Sequence, residues 1–90
     1  MQNVALLSRV PRFANRLTEN GIQVIPVESI QPGYLLLVKL GETIPVDGPL
    51  VSVSAVLNES SITGESLPVT RQTGELLLSG TINAGDALKM

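Results

Sequence analysis

The chain contains no cysteine, no histidine and no tryptophan among its 90 residues, and only one tyrosine and one phenylalanine. Without cysteine there is no disulfide framework. Without cysteine or histidine the two commonest transition-metal ligands are missing, so any metal this protein serves must be held elsewhere. The scarcity of aromatic rings removes the platforms on which bases stack, and a formal charge of −2 supplies no basic footprint, which excludes nucleic acid as a partner. Long apolar runs are absent too: the longest, Tyr34-Leu35-Leu36-Leu37-Val38, falls far short of the roughly 20 residues a membrane helix needs. The start, Met1 to Leu7, lacks a basic leading region and soon meets Arg9, so it makes a poor signal peptide.

What the chain does have is aliphatic bulk. Hydrophobic residues make up 43% of it and aromatics only 2%, so a core has to be assembled from Val, Leu and Ile, the branched side chains that suit a pleated sheet. A chain of this length folds as one small domain, burying about 60 to 65% of the surface it exposes when unfolded.

Local patterning supports β structure over most of the length. From Val4 to Asn20 apolar residues recur at helical spacing, but Pro11 interrupts them, which predicts a short helix ending near Val10. Residues 12 to 19 then read either as a strand or as a second turn of helix. Asn20-Gly21 suits a two-residue hairpin turn pairing residues 13–19 with Ile22 to Val27. Further strands are expected at Tyr34 to Lys39, Leu50 to Val56, Glu75 to Leu78 and from Ala87 onward, separated by Gly and Pro turns. Short strands with such punctuation predict a compact sandwich or barrel, with the loop around Thr63-Gly64 as its longest excursion. Arg9, Arg12 and Arg16 would share one face of a continuous helix and could meet anionic lipid there, although three charges broken by Pro11 read more simply as a solvated face.

That loop carries the chemistry. In Leu57-Asn58-Glu59-Ser60-Ser61-Ile62-Thr63-Gly64-Glu65-Ser66-Leu67-Pro68-Val69, one carboxylate, Glu65, sits on a glycine turn between two hydroxyl residues. Gly64 can take positive φ and let the loop press close to another surface, while Thr63 and Ser66 offer hydroxyls beside the acid. Alone, Thr-Gly-Glu-Ser is an ordinary polar turn. Its company is more specific: Gly41 to Gly48, reading Gly-Glu-Thr-Ile-Pro-Val-Asp-Gly, lies upstream and Gly80-Thr81-Ile82-Asn83 downstream.

In this order the segments resemble the actuator domain of the P-type cation-pumping ATPases, from about Pro11 to the C-terminus. The resemblance implies a mainly β fold, a distorted jelly roll or double-stranded β-sandwich of short strands, with residues 1–11 as a helical N-terminal linker and 12–90 as the β domain. It favours the strand reading of residues 12–19. It implies a fragment of an ATP-driven translocase whose separate phosphorylation domain forms an aspartyl phosphate, which the actuator loop then helps to hydrolyse. Glu65 would orient and activate the attacking water, Gly64 would allow close approach to the phosphate, Thr63 would touch phosphoryl oxygens or shape the loop, and Ser66 and Glu59 would support it.

Asp47-Gly48, although an acid close in sequence to Glu42, reads as a rigid corner in which Asp47 accepts backbone hydrogen bonds two residues on. The Ile-Pro-Val-Asp-Gly form and the compact loop look more like the heavy-metal branch, or its potassium-pump cousin, than the calcium or sodium/potassium pumps. No cofactor is expected on this domain, whereas the parent would use ATP and Mg²⁺. Its partners would be the phosphorylation domain and transmembrane helices of the same parent chain, and the transported metal cation would pass through that parent. The isolated domain is expected to be monomeric and inactive, and its place a cytoplasmic one on an integral membrane protein.

Three positions depart from common family usage: Tyr34 and Asn58 stand where aspartate is frequent, and Val53 replaces a frequent glycine. Two other readings compete. One is a non-catalytic β interaction module; the other is a biotinyl-type carrier domain, suggested by Lys89 before Met90.

Overall fold

The computed structural model describes residues 11–65 and 67–90. The expected N-terminal helix, with Arg9, lies outside the described residues, and so does Ser66. Among the described residues the order is β1 (Phe13–Thr18), β2 (Gly21–Pro26), a 3₁₀ turn (Val27–Ser29), β3 (Leu35–Val38), β4 (Gly48–Pro49), β5 (Ser54–Asn58), a one-turn helix α1 (Ser60–Thr63), β6 (Pro68–Gln72), β7 (Leu76–Leu77), β8 (Ile82–Asn83) and β9 (Leu88–Lys89). The mainly β expectation is met, and residues 13–18 are strand. No helix among the described residues is long and apolar enough to cross a membrane.

The strands form three small antiparallel sheets, ordered β2-β1-β3-β9, β6-β5-β8 and β4-β7. Between them lies one aliphatic core, built on Leu36 and Val38 of β3, Ile44, Leu50, Ala55 and Leu57 of β5, Leu77 and Leu88. Alternation explains the assignment in β5, where Ala55 and Leu57 point inward while Ser54 faces water. The first two sheets are joined by backbone bonds between residues 41–44 and 80–83: Gly41 N–H donates to the Asn83 carbonyl, Asn83 N–H to that of Glu42, and Ile44 N–H to that of Thr81.

Two local expectations need correction, and a third reading was conditional on a helix that does not form. The first hairpin turns on Glu19 and Asn20, since Thr18 pairs with Gly21. Only glycines take positive φ among the described residues, and Gly21 does so at +109°, which fits a type I turn closed by a glycine and rules out a primed turn at Asn20-Gly21. The strand expected over Leu50–Val56 begins only at Ser54. Upstream, the Val51 and Ser52 amides both donate to the Lys89 carbonyl while Ser52 Oγ accepts from Lys89 N–H, so the chain bends across the end of β9 and leaves Val53 86% exposed. Arg12 and Arg16 share no helix, because the backbone from Phe13 is extended; the Arg16 guanidinium lies 3.6 Å from the centre of the Tyr34 ring, a cation–π contact that occupies one of the departing positions.

Lys89 also settles the carrier reading. It lies within β9, paired with Leu37 and bonded through both backbone groups, whereas a swinging lysine requires a hairpin tip.

Leu57 is fully buried where β5 meets both β6 and β8, so Leu57→Ala should lower unfolding free energy by about 2 to 5 kcal/mol. Val53→Ser at the exposed bend should change it by less than about 0.5 kcal/mol. Urea denaturation of both variants measures the difference, and equal losses would contradict this placement of the core.

Candidate functional site

The loop between β5 and β6 is a short helical turn closed by a left-handed glycine. Its anchor is Glu59. This residue ends β5's exit from the sheet, and its main-chain carbonyl accepts from three donors: Ile62 N–H at 2.9 Å, Thr63 N–H at 3.0 Å and Thr63 Oγ1 at 3.2 Å. Asn58 Oδ1 accepts from Ser60 N–H at 2.9 Å, so the amide side chain at this departing position performs the turn-forming part without a charge. Gly64 closes α1 at φ +79°, with its N–H on the Ser60 carbonyl. The Thr63 hydroxyl in turn accepts from Glu65 N–H at 3.2 Å. Thus the backbone on which Glu65 stands is fixed, while its side chain is exposed.

A methyl group built on Gly64 would meet no atom within 4 Å. Its glycine is demanded by backbone conformation, and the space beside it is open for an incoming surface.

The Glu59 side chain is nearly buried and is gripped by Arg71 of β6. Arg71 Nε donates to Oε2 at 3.1 Å, and Nη2 to Oε1 and Oε2 at 3.0 Å each. Arg71 pairs across the ladder with Ala55, on the inward-facing side of β6 that it shares with Val69. A second brace comes from α1 itself, where Ser61 Oγ donates to the Gly80 carbonyl at 2.8 Å.

Asp47 reaches the same region through a single side-chain bond. Asp47 Oδ1 accepts from Ser79 N–H at 2.7 Å, so its bond spans to the turn before β8 and is not the local bond expected two residues on. Ser79 and Gly80 therefore link the Asp47 corner to α1. Gly48 belongs to β4, where a Cβ would approach Met90 Cε to 3.2 Å, close enough that the tip of the methionine would have to shift by a few tenths of an ångström. Glu42 works apart from this cluster, capping the turn after β3 through Lys39 N–H at 2.8 Å.

Sequence reasoning passed over Arg71, Ser61, Ser79 and the side chain of Asn83. The last is fully buried and satisfied by Val38, Asp86 and Gly85 main-chain groups. A basic residue at an inward position of a strand was the available signal for Arg71, since a buried-side charge requires a partner.

Glu65 does not line the best-formed grooves of the described residues. The best-formed grooves are elsewhere, one bordered by Phe13, Asn15, Leu37 and Glu42 and another by Ile30, Tyr34, Val46 and Met90. The Glu65 carboxylate is open to solvent on the surface of the domain.

A profile of the P-type ATPase actuator domain matches residues 8–90. The chain belongs to this family. It is 44% identical over 85 residues to the silver-exporting P-type ATPase of Salmonella typhimurium, covering 93% of this chain and 10% of that protein. With the cadmium, zinc and cobalt-transporting ATPase of Bacillus subtilis the identity is 40% over 84 residues, or 93% of this chain and 12% of the relative. The fold superposes on the crystal structure of a zinc-transporting PIB-type ATPase in its E2.Pi state with a TM-score of 0.91 and 33% identity, covering 98% of this chain and 15% of that one. This actuator domain thus spans about a tenth of the length of such relatives, which are heavy-metal P-type ATPases.

Within the actuator domain, Gly64→Ala should cost about 1 to 2 kcal/mol of stability, because alanine is strained at φ +79° although no neighbour crowds it. Thermal unfolding tests this; an unchanged midpoint would mean that the turn relaxes to another conformation.

Proposed function

We propose that this domain serves a heavy-metal cation pump by driving hydrolysis of the pump's aspartyl phosphate. The observation that carries the reading is the posture of Glu65: an exposed carboxylate whose own amide is tied to the Thr63 hydroxyl, beside a glycine with open space around it. Docked on the phosphorylation domain of the same parent chain, Glu65 would accept a proton from water as the water oxygen bonds to phosphorus. The bond from phosphorus to the aspartyl oxygen breaks, releasing inorganic phosphate and restoring the aspartate carboxylate.

A positioned general base of this kind contributes about 10²- to 10⁴-fold. That corresponds to about 3 to 5 kcal/mol of barrier. Thr63 holds the loop through Glu59 and Glu65, and with its hydroxyl proton committed to the Glu59 carbonyl its part is to shape the loop.

ATP and Mg²⁺ would be bound by the rest of the parent. The residues here do not fit a resident metal, since the chain lacks histidine and cysteine and the described residues contain no cluster of three acidic side chains able to hold one. The names of the relatives, which transport silver, copper, zinc, cadmium and cobalt, support a metal cation as cargo. Placement on the cytoplasmic side, where ATP is available, follows from the same reading, as does a partnership with the parent's membrane helices.

In the full-length parent, Glu65→Gln keeps the shape of the side chain and removes its basicity. Phosphoenzyme should still form from ATP but decay about 10²-fold or more slowly, so that it accumulates while turnover falls. Decay at the normal rate would remove Glu65 from the mechanism and leave a non-catalytic docking module.

A further inference from the structure

The contacts beneath Glu65 form one unbroken series that starts in the sheet. Arg71 makes three hydrogen bonds to the Glu59 carboxylate. The Glu59 carbonyl receives the Ile62 amide and both the amide and the hydroxyl of Thr63. The Thr63 hydroxyl receives the Glu65 amide. A single residue, Glu59, therefore faces the sheet with its side chain and the loop with its backbone.

Its side chain is 7% exposed and that of Arg71 32%, so the acid has almost no water to replace a lost partner. The planar guanidinium fork fixes the plane of the carboxylate, which a point-charge ammonium would not do. Held at its far end, the Glu59 side chain restrains the position of the Cα from which the carbonyl projects. The same carbonyl sets the pitch of the turn that ends at Gly64.

We infer that Arg71 is a positioning residue for hydrolysis of the aspartyl phosphate, acting through Glu59 and Thr63 on the placement of the Glu65 carboxylate. The inference rests on the reading of Glu65 as general base given above. Arg71 lies on β6, paired with Ala55, and acts through Glu59 without touching phosphate. Its contribution is orientation, where a displacement of about 1 Å at a reacting group costs on the order of 10²-fold in rate.

The test uses the full-length parent carrying Arg71→Met, Arg71→Lys, Glu65→Gln and the combination of Arg71→Met with Glu65→Gln. Phosphoenzyme formation from ATP and its decay are measured separately. Arg71→Met should leave formation unchanged and slow decay by about 10- to 100-fold. Arg71→Lys should recover part of the loss, since it restores charge without the fork. In the Glu65→Gln background, Arg71→Met should add less than about 2-fold, because there is no longer a base to misplace.

A full additional slowing in that background, or normal decay in Arg71→Met while Glu65→Gln is slow, would overturn the positioning role and leave the function of Glu65 standing. Loss of phosphoenzyme formation in both Arg71 variants would assign Arg71 to folding and also overturn it. Normal decay in Glu65→Gln would bring down the functional reading itself, and this inference with it.

Discussion

The ion pair between Glu59 and Arg71 is the constraint on which the functional loop depends. A carboxylate just past the end of a strand, on a side chain 7% exposed, is costly unless its oxygens are matched, and Arg71 matches both with three bonds. Arg71 itself keeps about a third of its side chain in water, which lowers the cost of desolvating it. Replacing such a pair with apolar residues can preserve stability, yet it would discard direction. Here direction is what the turn needs, because Glu59 presents its carbonyl to three donors of the loop.

The remaining supports converge on the same short segment. Ser61 fastens α1 to the Gly80 carbonyl, and Asp47 fastens the adjoining Ser79 amide. The four-residue helix α1 is far too short to persist on its own, since helices of fewer than about 12 residues are marginal in water. It exists because its ends and one side are tied to the sheets. In the proposed reaction, an acid held this way would lose little freedom on meeting the phosphorylation domain, and its orientation would become rate.

Much of this was legible in the sequence. The alternation Ala55, Val56, Leu57 and the scarcity of aromatic residues pointed to a small aliphatic β domain, and the glycine at 64 to a left-handed turn beside an acid. Other features were hidden because they are settled by contacts distant along the chain. Ser52 was read as strand, but its hydroxyl and amide are committed to Lys89, 37 residues away. Asp47 looked like a local turn-maker, and its true acceptor role lies 32 residues on at Ser79. The β6 strand was overlooked behind Pro68, a residue tolerated there because it occupies the first position of the strand. Arg71 gave the faintest signal, since charge on a strand face is ordinary until the facing acid is known to be buried.

The most direct measurement of whether the sheet holds the loop is amide hydrogen exchange at Ile62, Thr63 and Gly64 in the chain with Arg71 and with Arg71→Met. The amides of Arg16 and Leu17 in β1 report global opening. If Glu59 acts as the anchor, exchange at the three loop amides accelerates at least about 10-fold in Arg71→Met, well beyond any change in β1. Loop and β1 amides accelerating by the same factor, or loop amides exchanging as before, would contradict it.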